Sequence, residues 1–136
     1  MRNRVKKVLA LMLAISCCCV FSANAYGIQY RFINELITVN EVTISNGKAT
    51  MYSDVICSTD VTKVVMTHVL QKKSGSTYSN VRNTTFTRTF LNNYAPDMED
   101  VVNCTEPGTY RVKTTYLVVS PRGSDSHTQY SSTETI

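Results

Sequence analysis

The sequence has little of what most catalytic chemistry requires. It holds two histidines, His68 and His127, and neither lies close to a cysteine or to the other. No close-spaced ligand pair for zinc exists, and no metal or cofactor is expected. No serine stands in a Gly-x-Ser-x-Gly elbow, and five scattered glycines build no phosphate-cradling loop. Charge of one sign is also scarce. Four of the fourteen Lys and Arg (Arg2, Arg4, Lys6 and Lys7) precede residue 8, and the rest equal the ten acids in number. The formal charge of +4 therefore belongs to the leader. The near-neutral balance after the leader weighs against a nucleic-acid binder, which needs clustered Lys and Arg, and against a cationic membrane-lytic peptide. Long apolar runs are missing too. The one from Val8 is about 14 residues, short of the roughly 20 that span a bilayer, so no transmembrane anchor is expected.

That run instead reads as part of a secretory signal peptide over residues 1–25. A basic start precedes the apolar stretch, and Ala23-Asn24-Ala25 supplies the small-x-small pattern cut by signal peptidase. The mature chain then begins at Tyr26. A lipid anchor is the alternative, because Leu13-Ala14-Ile15-Ser16-Cys17 loosely resembles a lipobox ending at Cys17. Cleavage before Tyr26 reduces five cysteines to two, Cys57 and Cys104. An exported chain meets an oxidising compartment, so one Cys57–Cys104 disulfide is expected. Two free buried thiols are the other reading. A Cys/His dyad using either cysteine would be silenced by the bridge.

From residue 35 onward alternation dominates and helical periodicity is nearly absent. Residues 26–34 read as a poorly ordered lead-in. Strands are predicted over Leu36–Ser45, Lys48–Ser58, Val61–Lys73, Tyr78–Asn83, Thr84–Leu91, Thr109–Ser120 and His127–Thr135, with Asn46-Gly47 as a tight hairpin. On the third strand His68 shares the parity of Val64, Met66 and Leu70 and reads as a half-buried strand residue. His127 reads as solvated. Residues Asn92–Asn103 carry Pro96 and the acids Asp97, Glu99 and Asp100, and read as a loop with one helical turn. Those acids form a solvated cluster near Glu106, without the alternation and glycine of a calcium loop. About seven strands in one domain, residues 35–136, point to an all-β fold of two packed antiparallel sheets.

The segment Glu106-Pro107-Gly108-Thr109-Tyr110-Arg111-Val112 resembles the start of strand F in immunoglobulin-like domains. The resemblance implies a tyrosine corner at Tyr110 with Gly108 in its turn. The strand-F cysteine is replaced by Val112 and there is no tryptophan, so an antibody-type domain is excluded while an immunoglobulin-like sandwich is not. Over roughly residues 45–133 the chain also resembles a family of small, uncharacterised exported proteins of Gram-positive Firmicutes. The matching pieces are Leu70-Gln71-Lys72-Lys73-Ser74-Gly75 with Tyr78 and Val81, then Pro107–Lys113, and a late Tyr130-Ser131-Ser132. That resemblance implies an exported β-sandwich and supplies no catalytic residues.

Tyrosine is the remaining signal. Tyr52, Tyr78, Tyr94 and Tyr130 exceed what a core of this size needs, and tyrosine is common on recognition surfaces. The expectation is a secreted, monomeric, non-enzymatic binding module acting at or outside the cell envelope. Its partner would be a protein or an envelope glycan. A bacteriocin-like effector acting on competitor cells is the alternative.

Overall fold

The computed structural model describes residues 36–136. The predicted signal peptide, the lead-in segment and Cys17 lie outside the described residues. Eight strands are formed: β1 (Ile37–Ser45), β2 (Lys48–Ile56), β3 (Lys63–Ser74), β4 (Thr77–Leu91), β5 (Asp97–Asn103), β6 (Thr109–Ser120), β7 (Gly123–Tyr130) and β8 (Glu134–Thr135). They build the expected all-β, two-sheet antiparallel sandwich. One sheet has the order β1-β2-β5 and the other β4-β3-β6-β7, with β8 beside the start of β6. The strand bearing Tyr110, β6, lies between β3 and β7, as strand F lies between C and G in immunoglobulin-like sandwiches.

Local chemistry sets the turns. Asn46 and Gly47 adopt φ values of 51° and 72°, the pair of left-handed residues that a two-residue hairpin twisted like its strands requires. The predicted strands Tyr78–Asn83 and Thr84–Leu91 are one strand. Its pairing with β3 shifts between Val69 and Gln71, and Asn83 takes φ 59° in the bulge. The buried Thr84 hydroxyl fills the gap, donating to Val81 O at 2.8 Å and receiving the Leu70 amide at 3.2 Å. At the other end of the chain, the predicted last strand is divided into β7 and β8.

Residues 97–103 are not a loop. They form β5, paired with β2 from Asp54↔Asp97 to Lys48↔Asn103. Their acids alternate faces: Asp97 and Glu99 point outward, while Met98 and Asp100 are buried. Three acids in four residues imitate a solvated turn, and the alternation of Met98 and Asp100 is too brief to offset that impression.

The inner faces meet in two apolar clusters. One joins Val55, Cys57, Val61, Val64, Met66, Met98, Tyr116 and Val118. The other joins Val42, Ala49, Met51, Leu70, Cys104, Tyr110 and Val112. The expected Cys57–Cys104 bridge is absent, and both cysteines are free and buried. The register gives the reason. Cys57 follows the end of β2, where its amide bonds Tyr94 O, and Cys104 follows the end of β5, where its amide bonds Gly47 O. They occupy opposite ends of one antiparallel pair. At about 3.3 Å per residue the length of β2 puts them roughly 30 Å apart, whereas a disulfide needs Cα atoms within about 7 Å.

Candidate functional site

Between the two apolar clusters lies a polar layer. It takes one inward-facing side chain from each of six strands: Asn40, Ser53, His68, Arg88, Asp100 and Thr114, on β1 to β6 in turn. His68 is at its centre. Sequence alternation predicts a half-buried histidine, but the ring is fully buried, because its strand is central and the acid that pairs it comes from the opposite sheet. His68 Nδ1 lies 2.9 Å from Asp100 Oδ2, and His68 Nε2 lies 2.9 Å from Ser53 Oγ. Arg88, half-exposed at the sheet edge, reaches in to Asp100 Oδ1 at 2.6 Å and to Glu99 O at 3.1 Å.

Proton counting fixes the roles. Burial is the largest influence on His68 and holds its pKa below the ordinary value; Asp100 opposes this and Arg88 reinforces it. The ring is therefore neutral near pH 7, with its hydrogen on Nδ1 donated to Asp100. Nε2 then accepts from the Ser53 hydroxyl. Ser53 Oγ also lies 2.8 Å from Thr114 Oγ1, and Asn40 Oδ1 lies 2.7 Å from Ser53 Oγ and 2.8 Å from Thr114 Oγ1. Two hydroxyl hydrogens cannot serve all these contacts. A half-turn of the Asn40 amide resolves the shortage. Its nitrogen then donates to both hydroxyls and Thr114 donates to Ser53, while the amide oxygen takes the buried position that has no hydrogen-bond partner.

A serine, a histidine and a carboxylate in this relation have the connectivity of a nucleophile, its base and an orienting acid. Access decides against that chemistry. Ser53 and His68 are 0% exposed and Asp100 is 6% exposed. No acyl or glycosyl group reaches Ser53 Oγ without parting the sheets. The arrangement pairs the buried polar groups of Ser53, His68, Asp100 and Thr114 and fixes how the two sheets face one another.

The outer faces are accessible and differ in charge. On the three-stranded sheet, Tyr52 lies in a cross-strand row between Glu41 and Glu99, with Asp54 and Asp97 in the next row. Partial burial, then these four carboxylates, raise its phenol pKa. The five-stranded sheet presents Lys63, Lys73, Arg111 and Lys113 along its outward register positions, and no carboxylate shares that set. There the Arg111 guanidinium carbon lies 3.9 Å from the Tyr78 ring centre and 4.0 Å from that of Tyr130. Arg111 Nε donates to Gln71 Oε1 at 2.9 Å, and Gln71 Nε2 donates to Asn80 Oδ1 at 2.9 Å.

Of the four surface tyrosines, then, the fold brings two together. Tyr78 and Tyr130 meet through Arg111, a residue that sequence reasoning overlooked. Tyr52 sits on the opposite, acidic face, and Tyr94 lies in the β4–β5 connection beside Cys57. Tyr110 is buried, and its hydroxyl donates to Glu106 O at 2.8 Å, back across the turn that contains Gly108. His127 is half-buried on β7, with its Nε2 3.0 Å from Gln129 Nε2. A mostly apolar cleft of about 350 Å³ opens beside Cys104 between Ile44, Gly47, Thr105 and Ile136.

No protein-family model matches the chain, and no curated protein matches it. Among solved structures it is similar to β-glucosidase 3B of Thermotoga neapolitana, in a complex with α-D-glucose, at 12% identity and a TM-score of 0.41. That similarity covers 76% of this chain and 17% of the glucosidase chain, so this chain spans a small part of that enzyme's length.

Proposed function

We propose that the protein is an exported, non-enzymatic binding module that acts at or outside the cell envelope through the outer face of its five-stranded sheet. The observation that carries this reading is the composition of that face: four cations, no carboxylate, and two tyrosines gathered around one of the cations. Such a face attracts acidic polymers, and the carboxylates on the opposite sheet orient the domain so that the cationic side approaches first. The leader over residues 1–25 and the resemblance to exported Firmicutes proteins support the envelope as the place of action. The enclosure of Ser53, His68 and Asp100 supports a binding role over a hydrolytic one.

Co-sedimentation with purified envelope fragments of the producing strain tests the reading. The full chain, recovered from the medium, is expected in the pellet at low salt and is released as salt screens the face. The double variant Lys73→Glu, Lys113→Glu should stay in the supernatant with its melting temperature unchanged. Equal pelleting of that variant would overturn the assignment of this face. Growth inhibition of neighbouring strains without envelope binding would favour an effector instead.

A further inference from the structure

Resting on the binding role above, we propose that Arg111 is the anion-recognising group of the cationic face. Its ligand is an oxyanion, a carboxylate or a phosphodiester, carried on a sugar or polyol chain that lies along Tyr78 and Tyr130.

Three features separate Arg111 from an ordinary surface cation. The first is fixation. The guanidinium carbon lies over both tyrosine rings, and the Gln71 carbonyl oxygen takes the Nε hydrogen. Gln71 is itself buried and tied to Asn80, so the orientation of Arg111 is set from two neighbouring strands. The second is vacancy of the donor edge. Arg88 and Arg122 each bond a carboxylate of this chain, Asp100 and Asp60. Among the described residues no carboxylate pairs with Arg111, and no acceptor meets its two terminal nitrogens. With Nε occupied, the remaining donors are the N–H groups of the two terminal nitrogens, which lie together at the end of the planar group. A planar fork of that kind matches the paired oxygens of a carboxylate or phosphate. The third is setting. Lys113 pairs across strands with Tyr130 and Lys73 with Tyr78, so cations flank the fork on both sides.

The rings have a second use. Tyr130 is 48% exposed, and a ring that covers a guanidinium with part of its face still offers its rim and hydroxyl to a polyol. The group recognised is thus an anion attached to hydroxylated carbon, which both uronic-acid polymers and polyol-phosphate polymers provide.

Isothermal titration of the full chain with three probes tests the assignment: hyaluronan oligosaccharides for carboxylate, glycerol-phosphate oligomers for phosphodiester, and chitotetraose as an uncharged control. At least one anionic probe should bind and chitotetraose should not; whichever anion binds identifies the source. Arg111→Lys keeps the charge but loses the fork, and should weaken binding about tenfold or more. The Arg111 Nε–H resonance of the unmutated chain should shift on addition of the probe, a readout that needs no variant to fold. Unchanged affinity in Arg111→Lys, with binding lost in Lys73→Glu, Lys113→Glu, would overturn the role of Arg111 while leaving the face as a binding surface. Equal binding of chitotetraose would overturn anion recognition alone. No binding to any probe, with none to envelope fragments, would overturn both.

Discussion

His68 Nδ1 bonds Asp100 Oδ2 across the core, joining strand β3 of one sheet to strand β5 of the other. The bond makes Asp100 the hinge of the polar layer, because Arg88 takes its second oxygen. Removing the carboxylate leaves the buried His68 Nδ1–H without a partner, while the half-exposed Arg88 keeps Glu99 O and solvent. Asp100→Ala is expected to cost about 1–3 kcal/mol in urea unfolding, the cost of leaving a buried donor unsatisfied. Asp100→Asn keeps an acceptor for His68 and should cost less. A loss below about 1 kcal/mol in Asp100→Ala would mean that the layer contributes little to stability.

Ser53 lies at the other end of the same relay. Ser53→Ala deletes a hydroxyl that contacts Asn40, His68 and Thr114. The expected cost is about 1–3 kcal/mol, for buried partners left unsatisfied. Envelope binding should be unchanged. A fluorophosphonate probe for reactive serines should not label the folded chain; labelling at Ser53 would show that solvent and electrophile reach the layer.

The buried histidine also predicts a pH dependence. Burial depresses the His68 pKa in the folded chain. Above the ordinary value of about 6.5 the ring is neutral in both states, and stability is full. As pH falls below that value the unfolded chain takes up a proton that the folded chain refuses, so stability drops until the folded pKa is reached. The slope from this one group is at most about 1.4 kcal/mol per pH unit. Melting temperature should therefore fall between pH 7 and pH 5 in the parent. His68→Gln should be less stable at pH 7 and should have a flatter profile over that interval. An unchanged slope in the variant would assign the pH effect to other groups.

Much of the sandwich is legible in the sequence, and most of the site is not. β2 and β6 announce themselves because Ala49, Met51 and Val55, or Tyr110, Val112, Tyr116 and Val118, share one parity interrupted only by Ser53 or Thr114, and Asn46-Gly47 fixes the hairpin between β1 and β2. β5 is hidden because its buried acid is satisfied by residues 32 and 12 positions away. No local pattern reports partners so distant. The polar layer is hidden for the same reason: one polar residue per strand looks like ordinary solvent-facing alternation until six strands are assembled. Arg111 stands inside the motif that identifies strand F, where Tyr110 draws the attention. Its meeting with Tyr78 depends on β6 and β4 flanking β3.

The Tyr110 hydroxyl clamps the turn that leads into β6. Its bond to Glu106 O spans four residues, and Glu106 in turn pairs with Lys72 at 3.0 Å. Tyr110→Phe retains the buried ring and loses the bond, so a loss of about 0.5–1.5 kcal/mol is expected in denaturant unfolding. Tyr110→Ala also opens a cavity among Leu70, Val112 and Cys104 and should cost about 3–5 kcal/mol. A Phe variant as stable as the parent would reduce the corner to ring packing.

The two cysteines give a test that bears on folding in an oxidising compartment. Their positions at opposite ends of the β2–β5 pair forbid an internal bridge, and burial protects each thiol from an external one. Burial also pushes the Cys57 thiol up to about 11, so little reactive thiolate forms at neutral pH. The native chain should react with Ellman's reagent only slowly, and both thiols should titrate promptly in denaturant. Reductant should leave the melting temperature unchanged. Cys57→Ala should cost about 1 kcal/mol, the loss of one small buried apolar group, rather than the 2–5 kcal/mol that follows removal of a native disulfide. The decisive observation is the intact mass of protein recovered from the medium. A chain two hydrogens light, with a reductant-sensitive melting temperature, would require Cys57 and Cys104 to meet, and the pairing of β2 with β5 would then have to be abandoned.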